Sequence, residues 1–195
     1  PRACTDAKQT VIVSVEVTQD GGDAEQLQPA MERLEEESGQ APRQAIVDGG
    51  YTRRENIVAM AEGGIDLIGP PLDGKVQKET LYRIRGVAPE FRPEAFAFDE
   101  AANAYRCPEG KTLRYKTRQV LVGQTKYTYV AETGDCAACP QKACCCPTTT
   151  KGGRSLVRAE DGPEVTAFRA KMETEEAKST YRKRGGVPES VHQRE

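Results

Sequence analysis

No apolar run in the chain approaches the roughly 18 to 20 residues that a membrane span requires. No secretory leader is expected, and the chain shows no internal repeat or low-complexity tract, so it is expected to be soluble and cytoplasmic. Excess positive charge is also missing, because 28 Lys and Arg face 30 Asp and Glu for a net charge of -2. That balance counts against a nucleic-acid enzyme, whose phosphate contacts normally leave a basic footprint. The single histidine, His192, reads as a solvated side chain.

The 195 residues suggest one domain, or one domain with an elaborated insert, large enough to bury a core. Apolar content of 37% beside 30% charged residues is globular but polar. Seven cysteines cannot all pair, and three are adjacent at Cys144, Cys145 and Cys146. With no leader expected, Cys136-x-x-Cys139 favours metal ligation over a disulfide framework. Two residues between thiolates let the backbone turn around one ion, Cys145 or Cys144 can add a third ligand, and Cys107 a fourth. Four thiolates leave no open position, so such a zinc ion is structural, contributing on the order of 10 kcal/mol to folding. The alternative is a set of reduced or redox-active thiols. Cys4 stands apart.

Charge is unevenly placed. Arg106, Lys111, Arg114, Lys116, Arg118 and Lys126 are opposed in their stretch only by Glu109, and Lys178, Arg182, Lys183 and Arg184 form a second run. Acids concentrate between Asp20 and Glu37. The plain alternative for either basic run is a solvated surface.

Along the chain, Thr5 to Lys8 reads as a turn and the β-branched run Thr10 to Thr18 as a strand. Asp23 is placed to cap a helix whose apolar face is Leu27, Ala30, Met31 and Leu34, with Gly39 as its stop. The run Ala45-Ile46-Val47-Asp48-Gly49-Gly50-Tyr51 is the pivotal one: an apolar strand ends in a lone carboxylate followed by two glycines, which delivers an acid to the carboxyl edge of an α/β sheet. The competing reading is that Asp48 caps the helix predicted over Arg53 to Ala61. Ile65 to Gly69 is a further short strand. Leu72 to Glu100 reads as irregular with one short helix at Lys78 to Ile84, and Gln119 to Val122 and Lys126 to Val130 as small antiparallel strands. Helical spacing returns from Gly162 to about Arg184.

The string IVDGGYTRREN resembles the motif that carries the second acid of the DDE transposases of bacterial insertion sequences. In order, YRCPEGKTLRY, DCAACPQKACCCP and YRKRGGVPESVHQRE are similar to that family's cysteine-bearing insert and closing helix. The resemblance implies an RNase H-like mixed sheet flanked by helices, with a small cysteine-rich zinc β insert before the last helix. The expected division is residues 1–71 for the central part of the catalytic domain, 72–160 for the insert and 161–195 for the segment carrying the last acid. It implies Asp48 and Glu189 as catalytic ligands of Mg²⁺ or Mn²⁺, Cys145 as the third cysteine of a zinc set with Cys107, Cys136 and Cys139, and Tyr181 and Arg184 as groups that meet DNA phosphate or the active site. In the basic run from Arg106 to Lys126, Lys116 and Arg118 are the expected DNA contacts. The implied partners are DNA, as element ends and target, and further copies in a homo-oligomer. The implied location is the bacterial nucleoid. The triad's first Asp has no counterpart here, Asp6 being in a turn. The chain is therefore expected to be a fragment or degenerate copy that does not cut DNA alone. The alternative function is a non-catalytic, zinc-stabilised DNA-binding or interaction module.

Overall fold

The computed structural model describes residues 2–5, 12–16, 23–70, 72, 75–147 and 152–183, with backbone alone at 2–5, 12–16, 23–24 and 75–78. The chain divides into two compact units, one of residues 1–72 with 161–195 and one of residues 73–160. Together they make a mixed α/β protein.

The first unit opens with β1 (Arg2–Thr5) antiparallel to β2 (Ile12–Glu16), with Cys4 opposite Ser14. β2 lies within the expected strand, whereas β1 occupies a stretch with no strand signal of its own. Four residues carry too little alternation to announce a strand, and pairing with β2 decides it. A 3-10 turn at Asp23–Gln26 precedes α1 (Leu27–Ser38), whose N-cap is Gln26. Asp23 is therefore not the cap of this helix, because the added turn moves the α-helical start four residues on. Gly39 stops α1 as expected, with φ 72 and its N–H on the Glu35 carbonyl.

β3 (Gln44–Ile46) and β4 (Asp66–Ile68) are parallel, with Ala45 opposite Leu67. The crossover between them contains α2 (Arg54–Glu62), which buries Ile57 and Met60 and ends at Gly63. Among the described residues the pairs β1–β2 and β3–β4 remain separate two-stranded sheets.

The second unit begins with α3 (Lys75–Ile84), three residues longer than the helix expected from Lys78. Two 3-10 turns, Pro89–Phe91 and Pro93–Ala95, lead into a five-stranded sheet in sequence order. Its strands are β5 (Ala97–Asp99), β6 (Ala104–Arg106), β7 (Thr112–Leu121), β8 (Gln124–Ala131) and β9 (Ser155–Asp161). β5 lies in the stretch read as irregular. The two small strands expected nearby are the distal part of the long β7–β8 hairpin, which runs back to Leu113 opposite Ala131. Between β8 and β9, α4 (Thr133–Ala137) and α5 (Lys142–Cys145) carry cysteines.

Phe96, Leu113, Tyr129, Ala131 and Leu156 form this unit's core. Tyr129 is fully enclosed, so its hydroxyl needs a partner, and it donates to Asn103 Oδ1 at 2.8 Å. The Arg158 guanidinium lies 4.6 Å from the Phe98 ring centre and 4.9 Å from that of Tyr127.

The chain then returns to the first unit through α6 (Pro163–Met172) and α7 (Glu175–Lys183). The helical spacing from Gly162 to Arg184 contains no break of its own, yet Thr174 divides it. The Thr174 hydroxyl donates to the Lys171 carbonyl at 2.7 Å and accepts the Ala177 N–H at 3.3 Å, closing one helix and capping the next. Val165, Phe168, Met172 and Ala177 share one core with Leu27, Ala45, Ile57, Met60, Leu67 and Ile68. Residues 161–183 thus complete the core begun before Leu72.

Candidate active site and thiol cavity

Strand pairing carries the chain as far as the candidate acid. Val47 N–H still donates to the Ile68 carbonyl at 2.9 Å, and the next residue, Asp48, is exposed where the ladder ends. Asp48 Oδ1 accepts the Gly50 N–H at 3.0 Å, while its carbonyl accepts the Tyr51 N–H at 3.2 Å. This is an Asx-type turn. The helix-cap reading of Asp48 is set aside, because Arg53 is the N-cap of α2 and no side chain caps it.

Two buried polar side chains hold the loop from behind. The Thr52 hydroxyl donates to the Gly49 carbonyl at 3.3 Å, and Asn56 Nδ2 donates to the Tyr51 carbonyl at 2.8 Å. Gly69, beyond β4, completes the packing: a Cβ there would overlap Thr52 Cγ2 and come within 3.1 Å of Val47 Cγ2. Loop and strand end are consequently held together by close approach as well as by hydrogen bonds.

Ion pairs that the sequence does not announce tie α6 to this frame. Asp161 accepts from Arg54 Nε at 3.0 Å and from Arg169 Nε at 2.7 Å, and Arg169 Nη1 also donates to the Leu72 carbonyl at 3.3 Å. Burial alone would raise the pKa of Asp161, but the hydrogen bonds and charges of the two arginines outweigh it and hold it below the ordinary carboxylate range. Asp66 accepts from Lys171 and, at 2.7 Å, from Gln44 Nε2, and its pKa is lowered in the same sense against its own desolvation. No sequence signal distinguishes these acids from solvated ones, since their partners lie up to 107 positions away.

In the second unit, Cys107, Cys136, Cys139, Cys145 and Cys146 line one small cavity of about 20 Å³, together with Leu113, Phe91 and Arg154. That volume suits one water-sized body. Two sulfurs already accept backbone hydrogen bonds, Cys107 Sγ from Lys111 N–H and Cys136 Sγ from Arg154 N–H, both at 3.2 Å. Arg154, which carries no signal in the sequence, donates to the Cys145 carbonyl at 3.2 Å and the Phe91 carbonyl at 3.1 Å. Burial pushes the Cys145 thiol up to about 12 despite the nearby Arg154 charge, and burial raises Cys146 too.

Two observations bear on the expected zinc ligands. Among the described residues no group of three or more His, Cys, Asp or Glu side chains is arranged to hold a metal ion. Cys146, not chosen from sequence, is buried and lines the cavity, whereas Cys144 is exposed.

Of the expected DNA contacts, Lys116 and Arg118 are exposed on β7. Tyr181 is half-buried on α7 against the core of the first unit, a packing position as much as a surface one. Arg184 and Glu189, like Asp6 and His192, lie outside the described residues.

A family model described as the transposase DDE domain matches residues 106–194, from the end of β6 through α7 and beyond. Over that stretch, somewhat less than half of its length, the chain is similar to the transposase DDE domain. The match takes in the cysteines and the β7–β8 hairpin, while Asp48 lies before it. No curated protein and no solved structure matches the chain. No helix among the described residues is long and apolar enough to cross a membrane.

Proposed function

We propose that this chain contributes to the catalytic domain of a transposase that breaks and joins DNA phosphodiester bonds, with Asp48 as one of its metal-binding acids. The supporting observation is the placement of Asp48 two residues beyond β3, directly after the last hydrogen bond of a parallel strand pair, in a chain whose 106–194 stretch matches the transposase DDE domain. The RNase H-like architecture and Glu189 as a second acid belong to the same reading. A lone carboxylate is not a two-metal site, so no catalytic step is assigned to Asp48 alone. The chemistry that Mg²⁺ or Mn²⁺ supplies when held by such acids is activation of a water or hydroxyl and stabilisation of the leaving oxygen. What the chain itself provides is position: the Gly50 N–H, Thr52, Asn56 and Gly69 fix the loop that carries Asp48.

The cysteine cavity supports a structural zinc held by Cys107, Cys136, Cys139 and Cys145. Soft thiolates select zinc, and two of the four sulfurs already receive backbone N–H donors. DNA is the proposed partner, with Lys116 and Arg118 on its phosphates.

Asp48→Asn tests the catalytic assignment. The variant is expected to lose Mn²⁺ binding, followed by the ion's electron paramagnetic resonance signal, while metal-free DNA binding stays equal or tightens because a negative charge has gone. Mn²⁺ titrations that superimpose for the two proteins would remove Asp48 from the site.

A further inference from the structure

The distal end of the β7–β8 hairpin combines two features that a solvated surface does not need. From Gly110 to Ala131 there is no acidic residue, in a chain of net charge -2. Of the five cations in that stretch, Lys111 pairs with Asp135 and Arg114 with Glu132, but Lys116, Arg118 and Lys126 make no ion pair among the described residues. At the turn, Val120, Leu121 and Val122 are 66%, 38% and 53% exposed. Three adjacent aliphatic side chains at a hairpin tip are a contact surface in search of an apolar partner.

Register places the cations. Arg118 is opposite Tyr127 and Gln119 opposite Lys126. Directly opposed residues share a face and neighbours along a strand alternate, so Arg118 and Lys126 lie on opposite faces. Lys116 occupies the irregularity between Tyr115 and Thr117. Among the described residues β7 pairs with β6 only as far as Arg114, and no strand lies on its outer edge beyond that point. A sheet with its side chains is roughly 10 Å thick, and the major groove of duplex DNA, about 12 Å wide, admits such a ribbon. Entering tip first, it turns one face to each phosphate wall and its apolar turn to the base edges. The apolar group displayed there is the thymine methyl.

We propose that the end of the β7–β8 hairpin is a major-groove DNA contact, in which Arg118 and Lys126 meet the two phosphate walls and Val120, Leu121 and Val122 meet thymine methyl groups. The proposal rests on the DNA-acting reading above and adds to it a contact surface and a base preference. A second copy of this chain fits the same surface less well. Pairing two β7 edges would set Lys116 and Arg118 against their own counterparts, the arrangement by which edge strands avoid self-association.

The test uses the full chain, a duplex of alternating A·T pairs, and the same duplex with every thymine replaced by deoxyuridine, which removes only the methyl groups. Wild type is expected to bind the deoxyuridine duplex more weakly by about fourfold for each methyl that the tip touches. The tip variant V120S/L121S/V122S is expected to bind both duplexes alike and to keep the wild-type salt dependence. The stem variant K116E/R118E is expected to bind both more weakly, with a slope of log affinity on log salt that is shallower by about 0.9 for each phosphate left without its cation. A tip variant that still discriminates thymine from deoxyuridine, or a wild type that does not, overturns the methyl contact while leaving the stem result to judge DNA binding. Unchanged affinity of the stem variant overturns the placement of this hairpin on DNA. No binding by wild type at low salt overturns the DNA reading itself. A wild-type dimer in sedimentation that the tip variant abolishes assigns the surface to self-association.

Discussion

Asp161 shows how much a single carboxylate can do by joining elements distant in sequence. It holds Arg54 at the start of α2 and Arg169 in α6, and Arg169 reaches on to the Leu72 carbonyl. Asp161→Asn is expected to lower stability in urea unfolding by about 1 to 3 kcal/mol, the range for hydrogen bonds to charged groups. Acid should act in the same direction. The folded pKa of Asp161 lies below its unfolded value, so its contribution is complete above the ordinary carboxylate pKa of about 3.9 and is lost as pH falls through the lower folded value. The wild-type protein is therefore expected to lose more stability between pH 5 and pH 2 than the Asn variant, on the order of the same 1 to 3 kcal/mol. The cysteines divide by a similar logic. A metal-free chain treated with a thiol reagent at pH 8 should modify exposed Cys144 first and Cys145 late, because a thiol with a pKa near 12 presents almost no thiolate. Equal rates for the two would contradict the burial of Cys145.

Among the elements, the turn entering β9 is the most constrained. Gly153 lies against the Ala131 carbonyl so closely that a Cβ would overlap this backbone atom, which no rotamer change can relieve. Gly153→Ala is expected to destabilise the second unit by at least the 1 to 3 kcal/mol typical of overpacking. It should also disturb the next residue's N–H on Cys136 Sγ, so faster modification of Cys136 should accompany the fall in melting temperature. At the α6–α7 junction the decisive group is a hydroxyl. Thr174→Ala should cost about 1 kcal/mol and Thr174→Ser much less, since serine retains the capping oxygen. Indistinguishable stabilities for the two, in chemical denaturation, would mean that the junction is set by something other than the cap.

At the scale of the whole molecule, zinc is expected at about one per chain when the protein is purified without chelator. Its removal should raise amide hydrogen exchange around Cys107 and from Cys136 to Cys146. Residues 44–68, in the other compact unit, should exchange as before. A zinc content near zero in a folded protein with all its thiols titratable would leave the cavity as a packed thiol cluster.

Some of this protein was legible in the chain. Gly39 as the stop of α1, α2 running to Gly63, and the exit of Asp48 from an apolar strand all follow from local rules of backbone freedom and periodicity. The transposase motifs were equally local; the family match at 106–194 agrees with those from Arg106 onward, while the motif at 46–56 lies outside it. Tertiary structure alone decided the rest. β1 exists because β2 is there to pair with, and Asp23 loses the cap because a 3-10 turn extends the start of α1. Thr174 splits an apolar pattern that continues unbroken through it. Cys146 joins the cavity by burial, while Asp161 and Asp66 are distinguished from dozens of ordinary charges only by which cations the fold brings to them. Periodicity and motif record what a residue asks of its neighbours within a few positions, whereas desolvation and ion pairing depend on neighbours that only the folded chain brings near.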